Sequence, residues 1–151
     1  MKLKRPRRPQ GFRPADSAQQ IVGGFLLAGP FVVTEEVWVL AESMSHLQAL
    51  MTVCLVFAIG YATLYKADTT RDQATEQNVA GVPIRFVSLM GVSFGSVTIL
   101  ALLFDAPNAF LGSNGSIAET VLITSKAVSV GSVFSVVGAA TADSVFSGSA
   151  S

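Results

Sequence analysis

Apolar and polar positions alternate on a long scale in this chain. Four apolar runs, each near the length of a membrane-crossing helix, are separated by short polar breaks. A spanning helix needs about 20 mostly apolar residues. The runs predict spans at about 19–41, 46–65, 84–105 and 117–146. The breaks carry turn chemistry: a polar step at 42–45, a charged stretch at 66–81 closed by Pro83, and 106–116 with Pro107, Asn108, Gly112, Asn114 and Gly115. Short connections make successive helices antiparallel neighbours. The pattern therefore predicts an all-α membrane protein, four transmembrane helices in an antiparallel bundle, occupying residues 19–146.

Composition agrees. Half of the 151 residues are hydrophobic and 13% are charged, against about 25% charged in soluble domains. Mean hydropathy is +0.54. The charges balance, ten basic against ten acidic, but they are segregated. Residues 1–18 form a basic tail, with Lys2, Lys4, Arg5, Arg7, Arg8 and Arg13. Lys66, Arg71 and Arg85 mark the second break, and the other two breaks have no Lys or Arg. By the positive-inside rule both termini and the 66–81 stretch are expected in the cytoplasm. Trp38 then falls near the outer interface, with Tyr61 and Tyr65 near the inner one. Residues 147–151 read as a flexible C-terminus. The first run is read as retained: Glu35 and Glu36 interrupt it, and no small-residue cleavage site follows a short apolar stretch.

Charges inside the runs are the candidate chemistry. A charge at the centre of a spanning helix costs roughly 2.5–3.5 kcal/mol on insertion scales, so such residues face a partner or a water-filled cavity. Pro30 removes one backbone hydrogen bond of the first helix and predicts a kink. Thr34, Glu35 and Glu36 follow it. Lys126 lies well inside the fourth run, with Glu119 seven residues earlier on the same face. Two readings compete. Either Thr34, Glu35, Glu36, Glu119 and Lys126 line an ion or proton path, or Lys126 pairs with Glu35 or Glu36 as a clamp between helices.

Small residues mark helix contacts in lipid, where apolar surface gives no driving force between helices. Ser88, Gly91, Gly95 and Thr98 form a small face on the third run, containing a GxxxG. Gly131, Ser135 and Gly138 do so on the fourth. Leu50, Val53, Leu55 and Phe57 make the second run the most lipid-facing. His46 reads as a solvated interfacial residue, and Asp105 as a solvated helix end. Cys54 is the sole cysteine, so no disulfide forms within the chain, and it reads as a small buried apolar residue. One histidine and one cysteine give no zinc or haem set. No Ser/His/Asp set, HExxH, P-loop or dinucleotide motif is present. The expectation is a non-enzyme without cofactor or nucleic-acid partner. It sits in the lipid bilayer of the cell membrane as a homo-oligomer or beside another membrane protein.

Several phrases carry a resemblance. They are Gln19-Gln20-Ile21-Val22-Gly23-Gly24-Phe25, Ala28-Gly29-Pro30-Phe31-Val32-Val33-Thr34-Glu35-Glu36-Val37-Trp38, Leu64-Tyr65-Lys66-Ala67-Asp68, Phe104-Asp105-Ala106-Pro107 and Gly138-Ala139-Ala140-Thr141-Ala142-Asp143-Ser144. Together they resemble a family of uncharacterised archaeal, mainly haloarchaeal, integral membrane proteins. The Thr-Glu-Glu-x-Trp element is the most distinctive. The resemblance implies a helical membrane protein in an archaeal envelope and supplies no substrate, cofactor or catalytic residue. The functional expectation is a homo-oligomeric ion or proton channel or transporter using intramembrane carboxylates. The alternative is a non-transporting structural or accessory subunit in which Glu and Lys clamp helices.

Overall fold

A computed structural model describes residues 14–66, 78–79 and 82–149. The basic tail up to residue 13, most of the charged stretch after 66 and the last two residues lie outside the described part. The described chain is almost entirely helical. Three helices are long and apolar enough to cross a membrane, and a bent pair makes up to four.

Helix α1 runs from Pro14 to Val32. Proline suits the first turn, where its missing N–H has no partner to lose, and Asp16 in that turn meets the positive end of the helix dipole. The helix thus begins five residues before the expected start of the first span. Pro30 lies inside α1, but the chain breaks later, at Val33 and Thr34. Thr34 is extended (φ −99°, ψ 135°). Its backbone N–H and its hydroxyl both donate to the Phe31 carbonyl, at 3.2 and 2.8 Å. Helix α2, Glu35–Ser43, leaves at 79° to α1. The expected kink at Pro30 in the span over 19–41 is therefore corrected to a corner at Val33 and Thr34, where two helices meet. Proline frees the Leu26 carbonyl within the last turns of α1, and two β-branched residues then favour extended backbone.

Helix α3, His46–Tyr61, starts with a capping box. The Gln48 N–H donates to Ser45 Oγ at 3.2 Å, and the Ser45 N–H donates to Gln48 Oε1 at 2.8 Å. It ends in a π-helical turn, Ala62–Lys66. Strands β1, Asn78–Val79, and β2, Val82–Pro83, form a minimal antiparallel pair, a small exception to the all-helical expectation. Helix α4 is Ile84–Leu103. The expected turn at 106–116 contains a short helix α5, Ala106–Leu111, entered through Asp105 with φ 53°. Asp105 is exposed and accepts from Asn108 Nδ2 at 2.6 Å. Helix α6, Ile117–Ser149, closes the fold and continues past the expected end of the last span.

Helices α1, α4 and α6 pack as a three-helix core, with α3 on its flank. Contacts that climb along α1 descend along α6: Gln20 meets Asp143, Gly23 meets Gly138, and Gly24 meets Ser135. The Gly23 and Gly138 backbones approach so closely that a Cβ on either would strike the other's carbonyl. This is the close approach that small residues permit in lipid. Only 17% of the α3 span is buried, against 39% for α4 and 44% for α6, as its bulky sequence predicts. Cys54 lies on the exposed side of α3, a correction to the buried expectation.

Candidate functional site

The interior of the core is lined with hydroxyls. Ser96 Oγ and Ser135 Oγ are 2.9 Å apart, and Ser135 Oγ donates to the Gly24 carbonyl at 3.2 Å. Ser132 Oγ donates to Val128 O at 2.7 Å and faces Ser93 O at 3.5 Å. Serine serves here because its hydroxyl reaches a backbone carbonyl, of its own helix for Ser96 and Ser132 and of α1 for Ser135, and leaves no polar group stranded. This seam joins two charged ends, one at Asp143 and one at Lys126.

At the first end, three helices converge on a guanidinium. Arg85, second residue of α4, donates from Nη1 to Asp143 Oδ1 at 2.6 Å and from Nη2 to Asp16 Oδ2 at 3.3 Å. Asp143 comes from the last turns of α6 and Asp16 from the first turn of α1. Gln20, one turn beyond Asp16, directs its Nε2 to Asp143 Oδ2 at 3.4 Å and to the Arg85 carbonyl at 3.5 Å. Ser88 Oγ donates to Gln20 Oε1 at 2.7 Å and lies 2.9 Å from Ser17 Oγ. Asp16, Gln20, Arg85 and Asp143 are all buried. The N-termini of α1 and α4 bring their positive dipole ends to the same place, which favours the two carboxylates.

The second end is simpler. Lys126 is buried, and its Nζ donates to the Met44 carbonyl at 2.6 Å. Met44 follows α2, so the ammonium also meets the negative end of that helix. Trp38 is buried beneath the corner, donates from Nε1 to the Val32 carbonyl at 3.0 Å and stacks on Phe110 at 5.8 Å. It pins the α1–α2 corner.

The expected site residues are scattered by this arrangement. Glu35 and Glu36 lie on the exposed face of α2, beside a groove of about 390 Å³ that they line with Val39, Leu40 and Ser43. Among the described residues no ion pair or hydrogen bond joins either to Lys126. Thr34 serves the corner, and Glu119 is exposed in the first turn of α6. Gly131 packs on Val97, Ser135 on Ser96, and Gly138 on Gly23. A Cβ added at Gly91 or Gly95 would meet nothing within 4 Å, and both border an open groove of about 220 Å³ between α1 and α4. Their expected packing partner is absent from the described chain.

The family comparison bears on this arrangement. Residues 7–142 match the model of the family described as "Putative integral membrane protein (DUF2391)". The chain belongs to that family. No curated protein and no solved structure matches it. The matched stretch of this DUF2391 member holds Asp16, Gln20, Ser88 and Arg85 and ends one residue before Asp143.

Reasoning from the sequence missed this network. Asp16 falls in the stretch read as a basic tail, Arg85 at a loop edge, and Asp143 within the fourth span without a partner. One signal was present: Pro14 followed by Asp16 is a helix-start pattern, which moves the acid from tail to helix. No local signal brings Asp16, Arg85 and Asp143 together across 58 to 127 positions of sequence.

Proposed function

We propose that this integral membrane protein is a non-transporting structural or accessory subunit whose buried charges act as ties between helices. One observation carries the reading. Every buried charged side chain among the described residues, Asp16, Arg85, Asp143 and Lys126, contacts a group from another helix or from the turn after one. A tie between helices needs such pairing, whereas a conduction path needs access. In this proposal the chain crosses the membrane of an archaeal cell four times, antiparallel, with α1 as the first span. Both termini and the stretch around residues 66–83 lie in the cytoplasm. Helix α2 then rides on the outer surface, with Glu35, Glu36 and Glu42 facing water. Depth supports this layout. Lys126 and Asp143 are 17 residues apart on α6, about 25 Å at 1.5 Å per residue, close to the hydrocarbon thickness of about 30 Å. The open groove at Gly91 and Gly95 suits a partner helix. No reaction or cofactor is part of this reading.

The second reading is a homo-oligomeric ion or proton channel. It is favoured by the exposed Glu35 and Glu36 beside their groove, where they are open to a second copy. Flux into liposomes holding the purified protein separates the two. The subunit reading expects no proton or ion flux from folded protein, and co-purification with another membrane protein. Flux abolished by Glu35→Gln together with Glu36→Gln would overturn it.

A further inference from the structure

Arg85 sits in its network in an unusual way. It is the second residue of α4, so its side chain enters from the helix end rather than from mid-span. The two carboxylates it meets stand on two other helices, and the buried Gln20 amide lies over the same place. The carboxylates it reaches thus stand on α1 and α6, and the guanidinium is carried to them on a long stem. Withdrawing one partner of a buried pair leaves the others as uncompensated buried charges, so the two carboxylates retain their demand for a cation when the Arg85 head is removed.

We propose that Asp16, Asp143 and Gln20 form a cation site on the α1–α6 pair that recognises a planar guanidinium, with Arg85 as its tethered occupant. Planarity is what the geometry selects. Two nitrogens of one fork reach carboxylates from different helices, which a guanidinium does and a point charge does less well. The inference uses the inter-helix ties of the subunit reading but not its conclusion about transport. A melting measurement on the isolated chain tests it without flux or partner.

The experiment is thermal unfolding of the full chain in detergent, with Arg85→Ala, in millimolar guanidinium chloride against sodium chloride at equal ionic strength. Arg85→Ala should melt several degrees below the unsubstituted chain. Guanidinium should restore most of that loss saturably, and sodium should not. The unsubstituted chain should not respond, nor should a triple variant, Asp16→Asn with Arg85→Met and Asp143→Asn. Arg85→Lys keeps a tethered cation and should melt between the two, without a guanidinium response. The proposal is overturned by sodium matching guanidinium, by an equal response from the triple variant, or by recovery on acidification with none from guanidinium. Failure of Arg85→Ala to fold even when purified in guanidinium would also overturn it.

Discussion

The two charged ends of the core solve one problem in different ways. At the Asp143 end, three helices supply a guanidinium, two carboxylates, an amide and two hydroxyls. At the Lys126 end, one ammonium meets one backbone carbonyl. In the first, each charge relies on side chains of other helices, so loss of one partner strands the rest. In the second, the acceptor is main chain and survives any substitution at Met44. Charge burial at one end is cooperative, and at the other it is local.

Substitutions that break this contrast rank by expected size. Asp143→Ala leaves Arg85 short of its nearest acceptor and should cost about 3–5 kcal/mol, the usual loss when one partner of a buried pair is removed. Reversible unfolding in bicelles measures it, and a loss below about 1 kcal/mol would make the network an ornament of the fold. Gly138→Ala tests whether close approach, rather than charge, holds α1 to α6. The added methyl meets the Gly23 carbonyl and should cost about 1–3 kcal/mol. A smaller loss than at Asp143 would leave the network as the stronger tie. Lys126→Met should stay within about 1 kcal/mol of the unsubstituted chain, because the lost charged hydrogen bond and the relieved burial of an ammonium are of similar size. A loss as large as that of Asp143→Ala would erase the difference between the ends. Glu35→Gln with Glu36→Gln should leave the melting temperature unchanged, since both side chains are exposed. Gly91→Leu should be equally silent in the isolated chain, and a fall in self-association without a change in melting would locate a seam between copies.

The sequence reading succeeded where a property is carried by a run of residues. Helices α3, α4 and α6 begin where the apolar runs begin. Gly131, Ser135 and Gly138 are buried in helix contacts because small residues there face other helices. The same rule did not fix a partner for Gly91 and Gly95, since a GxxxG states a shape and not what fills it. The sequence reading also placed the bend of the first span at Pro30 and continued the helix through Thr34. The proline was legible, but the 79° corner depends on Trp38 and Val32 meeting beneath it. Lys126 was legible as a buried charge. Its acceptor was not, because a backbone carbonyl leaves no mark in the sequence.

By itself the sequence determined the membrane class, the helical content and the approximate bounds of the apolar helices. These follow from hydropathy summed over some 20 residues, a quantity indifferent to neighbours. Apart from Lys126, tertiary structure alone decided which charges are interior. Asp16, Arg85 and Asp143 sit near the ends of their helices, where the sequence suggests water, and each is buried only because two other helices end at the same place. Glu35 and Glu36 sit within an apolar run, where the sequence suggests depth, and are exposed because the helix turns a corner before reaching them.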